Sequence, residues 1–132
     1  VKEPPYITAL KKLDHYRGNK FWAPEKQKQF YSGVTDVLRE YIAARFGVGA
    51  MEMTTAEIFD GLKDKEIPQP LLDEARNLFV MSDLVKFAKL TVTDDENAKA
   101  VPAAVRFVTS TWKAEEEADA NVNVNDKVGE EK

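Results

Sequence analysis

The sequence predicts an all-α protein, an orthogonal bundle of about five helices with a disordered acidic C-terminal tail. Apolar residues recur at helical spacing through most of the chain, and convincing alternation at period two is confined to Val122 and Val124. Two segments begin with the Thr-x-x-Glu spacing of a helix capping box, at Thr54 and at Thr93. Both observations favour helices over strands.

The first helix is predicted from Tyr6 to Arg17. Pro4 and Pro5 favour an extended lead that then permits a helix to start. Gly18 follows the last predicted turn and ends the helix. The apolar residues that share one face are Ile7, Leu10 and Leu13.

The second helix, from Pro24 to Phe46, has the clearest pattern. Pro24 suits a first turn, and Gly47 is expected to close the helix in the left-handed conformation. Gly33 in mid-helix weakens the helix and indicates a close helix crossing. The apolar stripe consists of Phe30, Tyr31, Val34, Val37, Leu38, Tyr41 and Ile42.

The third helix begins at the Thr54 capping box, and a loop with Pro68 and Pro70 follows it. A fourth helix is predicted from about Leu71 to Met81, with Ser82 or Asp83 capping a further short turn. The predicted buried residues are Ile58, Phe59 and Leu62 in the third helix and Leu71, Leu72, Ala75, Leu78 and Phe79 in the fourth.

The last helix begins at Thr93, and its register continues through Pro102, which predicts one kinked helix rather than two. The polar residues after Glu117 have little to bury, so residues 118–132 are expected to be disordered. The helical domain is thereby placed at residues 6–117, after an extended lead at residues 1–5. The predicted buried stripe of this helix is Ala98, Val101, Val105, Val108 and Trp112.

Composition fits a single ordinary globular domain, because 132 residues carry 43% hydrophobic and 32% charged side chains. The absence of cysteine excludes disulfides and thiolate metal sites. The apolar runs are short, so no membrane helix is expected inside this sequence. Because the chain begins with Val1, we expect it to be a piece of a longer protein, which leaves room for a membrane segment outside this sequence.

The net charge of −4 conceals a gradient, with basic residues in excess before Ala50 and acidic residues in excess after Trp112. A nucleic-acid-binding protein needs a concentrated basic face, which this pattern does not indicate. The pattern is compatible with an N-terminal end beside an anionic membrane surface. Ordinary solvated charges explain the same pattern and are its more common cause.

No catalytic, cofactor or metal site is predicted. The only histidine, His15, lies near the end of the first helix, where the helix dipole favours a cation. No helical metal-binding spacing accompanies it, and neither a nucleophile–base pair nor a phosphate-binding loop is evident. The sequence therefore predicts a protein that is not an enzyme. A hydrolase would need a polar pocket around His15.

Two kinds of binding remain open. The third and fourth helices resemble a helix-turn-helix, although their connection is long and the would-be recognition helix carries Asp73 and Glu74 against Arg76. The other kind is protein binding through apolar residues, at Phe21–Trp22 or at residues 82–89. Those residues either close the core or form an exposed groove for a partner helix.

Three blocks carry a family resemblance: residues 30–48 (FYxxVTxVLREYIxxRFGV), 50–58 (AMEMTTxEI) and 82–89 (SDLVKFAK). With the Pro4–Leu13 start, they resemble an uncharacterised cytosolic C-terminal helical domain of Bacteroidetes membrane proteins associated with the Bat (aerotolerance) gene cluster. The resemblance covers about Pro4 to Trp112. It implies a membrane helix before residues 1–5, a position on the cytoplasmic face of the inner membrane, and neighbours that include a MoxR-type ATPase and von Willebrand A proteins.

The function expected from these observations is a non-catalytic cytosolic docking domain of a membrane-anchored protein, and the alternative is a helical nucleic-acid-binding domain. Arg39 and Arg45 lie on or beside an apolar stripe, where a charged group needs a partner. We expect Glu52 or Asp83 to form ion pairs with them. The expected partner-contact strip is Leu84, Val85, Lys86, Phe87 and Lys89.

Overall fold

The computed structural model describes the backbone of residues 3–130 and the side chains of residues 3–113. The predicted all-α class is confirmed, because this part of the chain contains five α-helices and no strand. Short 3₁₀ turns at Pro24–Lys26 and Ala50–Glu52 connect some of them. The helices are α1 (Pro5–Asp14), α2 (Gln27–Phe46), α3 (Thr55–Leu62), α4 (Gln69–Phe87) and α5 (Asp94–Glu130).

Helix α2 forms the centre of the bundle and packs against α1, α4 and α5. Its predicted stripe is confirmed, since all seven of those residues are buried. Pro24 lies in the 3₁₀ turn before the helix rather than in its first turn. Gly47 closes α2 with a φ of 70°, the left-handed conformation that glycine adopts without strain.

Helix α3 begins with the predicted capping box. The Glu57 amide donates to the Thr54 hydroxyl at 3.2 Å, and the Thr54 amide donates to the Glu57 carboxylate at 2.9 Å. The bond from the Thr54 amide lowers the pKa of Glu57, because it favours the ionised carboxylate. Two otherwise unpaired donors of the helix start are thereby satisfied.

Helix α4 is one continuous helix to Phe87, so the predicted break after Met81 is wrong. Ser82 does not cap a new turn, because its side chain is buried with its hydroxyl 3.3 Å from that of Thr35 on α2. Asp83 accepts a hydrogen bond of 2.6 Å from the Thr55 hydroxyl on α3. Both polar side chains therefore join α4 to neighbouring helices.

Helix α5 continues through Pro102, which confirms one helix rather than two. Ala98 is exposed, contrary to the prediction, because the buried side of the first turn is taken by Asn97. The predicted disorder at 118–132 concerns residues whose side chains lie outside the described part, and it stays a prediction. The buried residues of α5 are Asn97, Ala100, Val101, Ala103, Ala104, Phe107, Val108 and Thr111.

A buried polar network joins the start of α2 to the loop before α5. The Gln27 amide group donates to the Val92 carbonyl at 2.9 Å and accepts from the Val92 amide at 2.8 Å. It also donates to the Trp22 carbonyl at 2.8 Å. Asn97 donates to the same Val92 carbonyl at 3.3 Å and accepts from the Tyr31 hydroxyl at 2.8 Å. Buried polar groups that pair in this way fix the loop in one conformation.

A close helix crossing was predicted at Gly33, and the structure shows instead a close contact with the side chain of Tyr16. A Cβ atom at Gly33 would lie 2.0 Å from the Tyr16 hydroxyl oxygen, so the half-buried Tyr16 ring occupies the space that glycine leaves. Tyr16 in turn contacts Phe30 with ring centroids 6.2 Å apart.

We expect Gly33→Ala to lower the free energy of unfolding by about 1–3 kcal/mol, because the added methyl group displaces the Tyr16 ring. In a Tyr16→Ala background the same change should be neutral or stabilising by up to about 1 kcal/mol, since alanine is the better helix former. Urea denaturation of the four proteins of this double-mutant cycle measures both values. An equal effect of Gly33→Ala in the two backgrounds would contradict the assignment.

The buried Tyr31 side chain makes the free energy of unfolding depend on pH in the alkaline range. Burial, with a further contribution from the Glu96 carboxylate, raises the pKa of Tyr31 to about 12. The unfolded chain then loses its phenolic proton at lower pH than the folded protein, so stability falls as pH rises from about 10 to 12, by at most about 1.4 kcal/mol per pH unit. The contribution is fully present below pH 10. Urea unfolding should show the stability gap between wild type and Tyr31→Phe shrinking over this window, and a constant gap would refute it.

Candidate interaction surface

Helix α4 carries a row of exposed apolar side chains on the face away from the core. Val80, Leu84 and Phe87 are exposed by 43%, 41% and 78% of their surface, and their i, i+4, i+7 spacing places them on one side of the helix. Leu90, just past the helix end, is 40% exposed. The Leu90 amide donates to the Leu84 carbonyl at 3.1 Å, which holds this residue against the last turn. We call these four residues the α4 ridge.

Four of the five residues of the predicted contact strip are at least partly exposed, and the fifth is buried. Leu84, Phe87 and Lys89 are exposed, and Lys86 is half-buried with its ammonium group 5.5 Å from the centre of the Phe87 ring. Val85 is buried and cannot contact a partner, because it lies three residues after Ser82 on the side of α4 that faces the core. The prediction was wrong for Val85.

Val80 and Leu90 were missed by the sequence reasoning. The spacing of Val80, Leu84 and Phe87 could have revealed the ridge, but the predicted break after Met81 placed Val80 on a different element. Once α4 is one helix, the three side chains form a single row. The position of Leu90 depends on the turn after α4, which no sequence pattern predicts.

That turn contains a strained residue. Lys89 has a φ of 56°, and it is the only residue other than glycine with positive φ among residues 3–130. The left-handed conformation disfavours residues with a Cβ atom, and glycine is the usual choice at a helix end. The turn is held by the Ala88 and Leu90 amides, which both donate to the Leu84 carbonyl, at 3.0 and 3.1 Å.

A groove of about 310 Å³ opens between α4 and α5, beside the ridge. Its apolar lining includes Leu78 and Met81 on α4 and Ala100 and Ala103 on α5. Met81 lies three residues before Leu84, so the groove and the ridge are adjacent on the helix surface. The small alanine side chains leave room for the side chains of a bound segment.

Ion pairs neutralise both ends of the groove. Arg106 on α5 donates two hydrogen bonds, of 2.9 and 2.8 Å, to the two carboxylate oxygens of Glu74 on α4. This contact raises the pKa of Arg106, because the carboxylate favours the charged guanidinium. At the other end, Lys99 lies 3.1 Å from the Glu96 carboxylate.

Three of the four residues predicted to form ion pairs, Arg39, Arg45 and Asp83, have other partners. Arg39 donates to the carbonyl oxygens of Ala50 and Met53, since the 3₁₀ turn presents its carbonyls toward α2. Asp83 accepts from Thr55, and Arg45 donates to the Thr111 carbonyl at 3.3 Å. Glu52 is exposed. The loop after α2 is thus fixed against the helix as expected, by carbonyl groups where a carboxylate was predicted.

The remaining candidates do not converge on a site. His15 is exposed and lies against Tyr16 and Phe21, with ring centroids 4.9 and 5.5 Å apart. Phe21 and Trp22 are partly buried and pack against the core. Across the described side chains, residues 3–113, no group of three His, Asp or Glu residues could hold a metal ion.

The excess of basic residues in the N-terminal half is partly neutralised in the folded protein. Lys11 pairs with Glu3, Lys12 with Glu40 and Arg17 with Asp14. These pairs are exposed, so they contribute little to stability, but they reduce the local positive charge. Because of these pairs, the N-terminal half presents less of the concentrated positive charge that nucleic acid binding requires.

Comparison with known proteins does not identify a family for this chain. No family model matches the chain, and neither a curated protein nor a solved structure shows significant similarity to it. Within the described residues, none of the helices combines the length and apolarity that crossing a membrane requires.

A substitution at Lys89 tests directly whether the turn after α4 is strained. We expect Lys89→Gly to raise the free energy of unfolding by about 1 kcal/mol, because glycine adopts positive φ without a steric penalty. Lys86→Gly, three residues earlier and inside α4, is the matched control and should lower it by about 1 kcal/mol. Urea denaturation measures both. Destabilisation by Lys89→Gly would show that the turn is not strained.

Proposed function

We propose that this chain is a non-catalytic docking domain that binds a partner protein through the α4 ridge. The observation that carries the proposal is the exposed row of Val80, Leu84 and Phe87, with Phe87 exposed over 78% of its surface. Single exposed apolar residues are common on protein surfaces. A contiguous row beside a groove is a feature of binding sites.

The strained turn supports the same surface. Strained backbone conformations cluster at functional sites, because selection for function retains a side chain where another residue would be more stable. Lys89 lies two residues after Phe87 and next to Leu90, so the strain lies within the proposed contact region. The exposed apolar row and the non-glycine residue at positive φ are independent features, and they coincide at one end of α4.

The resemblance to the Bat-associated domain suggests where such docking would take place. A domain of that kind would lie on the cytoplasmic face of the inner membrane, attached through a segment outside this sequence. The MoxR-type ATPase and the von Willebrand A proteins are then the first partners to test. The proposal itself depends on the ridge and not on these identities.

Binding to nucleic acid is less well supported by the arrangement of charges. Arg76, the basic residue of the would-be recognition helix, lies 3.3 Å from Asp73, and its guanidinium group packs over the Phe59 ring. It is therefore engaged within the domain rather than presented to a phosphate.

A photo-crosslinking amino acid at Phe87 tests the proposal in cells that contain the native partners. We expect a discrete adduct with one protein from position 87, and none from position 28, an exposed lysine site on α2. Leu84→Asp in the Phe87 crosslinking chain should remove the adduct, because a carboxylate in the apolar row disrupts its contact.

Three results would argue against docking through the ridge. They are the same adduct from position 28, an adduct that persists with Leu84→Asp, and an adduct that is lost after nuclease treatment. The last would favour the nucleic-acid alternative, and a mobility shift that weakens with salt would then confirm it.

A further inference from the structure

We infer that the occupant of the α4 ridge is a short acidic amphipathic helix, with apolar residues at helical spacing and carboxylates beside the Phe87 end. This inference rests on the proposed docking function and specifies the chemistry of the partner. Two properties of the surface lead to it, its size and its unpaired charge.

The size of the apolar surface fits one helix rather than a broad protein face. Val80 to Phe87 spans two turns of α4, about 10 Å at 1.5 Å per residue. Stable interfaces between globular proteins bury roughly 800 Å² on each side, which is far more than four partly exposed side chains present. A helix laid along α4 can contact the ridge and insert side chains into the adjoining groove, with Met81 and Ala103 beneath them.

Four of the acidic groups near this surface, Asp73, Glu74, Asp83 and Glu96, already have side-chain partners. Asp73 is bonded by Arg76 and by Gln69, and Asp83 accepts a hydrogen bond from Thr55. The groove carboxylates of Glu74 and Glu96 pair with Arg106 and Lys99, as described above. The first residues of α5, Asp94 and Asp95, lie at a helix N-terminus, where the dipole favours negative charge.

The basic groups at the Phe87 end are not compensated in this way. Lys86 and Lys89 form no ion pair with any carboxylate among residues 3–113, and Lys89 is exposed. The unpaired charge beside the most exposed apolar residue is therefore positive. Complementary charge on the bound segment is negative, so the partner helix carries Asp or Glu where it passes Phe87.

Selection from a helix-biased peptide display library tests this inference without knowledge of the natural partner. On the wild-type domain we expect selected peptides to share apolar residues at i, i+3 or i+4, and i+7, with an excess of acidic residues. On a Lys86→Glu/Lys89→Glu domain the excess should become basic. A Lys63→Glu/Lys65→Glu domain has the same change of net charge at exposed sites in the loop before α4, and it should select the wild-type class.

Affinity measurements on a selected peptide make the test quantitative. We expect binding to weaken about 10-fold with Lys86→Glu/Lys89→Glu, as two charge pairs with the peptide become repulsive. Binding should be abolished by Phe87→Asp and unchanged by Lys63→Glu/Lys65→Glu. Circular dichroism of each variant shows whether the fold is retained.

The possible failures are distinguishable. Peptides that need Phe87 but show no acidic preference, or that bind both charge-reversed domains equally, would overturn the acidic partner and leave docking intact. No selected peptide, or peptides that bind the Phe87→Asp domain as well as the wild type, would overturn docking through the ridge itself.

Discussion

The hydrogen bonds of the Gln27 amide group are the interaction on which the α4 ridge and its turn depend. The amide group forms a two-way hydrogen-bonded pair with the backbone of Val92, and the side chain is almost fully buried. A loop segment paired in this way behaves like a residue in a sheet, with both its donor and its acceptor satisfied. Since Val92 lies near the end of the loop that contains Lys89 and Leu90, the far end of that loop is fixed to α2. The near end is fixed by the Leu84 carbonyl.

This double attachment explains how a strained residue and an exposed apolar row persist together. A residue at unfavourable φ is retained only when its surroundings determine its conformation. The hydrogen bonds between the Gln27 side chain and the Val92 backbone supply that constraint from the centre of the bundle. They also relate the ridge to α5, because Asn97 binds the same carbonyl group and accepts from Tyr31. A surface held in this way needs little reordering when a partner binds, which favours affinity.

Periodicity predicted the core more reliably than it predicted polar positions. The stripe of α2 and the capping box of α3 follow from local sequence, because burial and capping repeat at fixed spacing. Ser82 and Asp83 were interpreted as caps, since these residue types usually end or begin helices. In the folded chain their partners are Thr35 and Thr55, which are far away in sequence, and no local pattern specifies such a choice. The misplaced break then concealed Val80 as a member of the ridge.

For the same reason, the charges counted along the sequence do not predict the charge that the folded surface presents. Counted along the sequence, the N-terminal half is basic, yet Lys11, Lys12 and Arg17 have carboxylate partners in the fold. Around the α4 ridge, by contrast, two basic residues have no carboxylate partner within the described part of the chain. The sequence places acids and bases there in similar numbers. Folding pairs Asp73, Glu74 and Glu96 with basic residues and leaves Lys86 and Lys89 without a carboxylate among the described residues. The charge that this internal pairing leaves at the Phe87 end of α4 is that of Lys86 and Lys89, and it is positive.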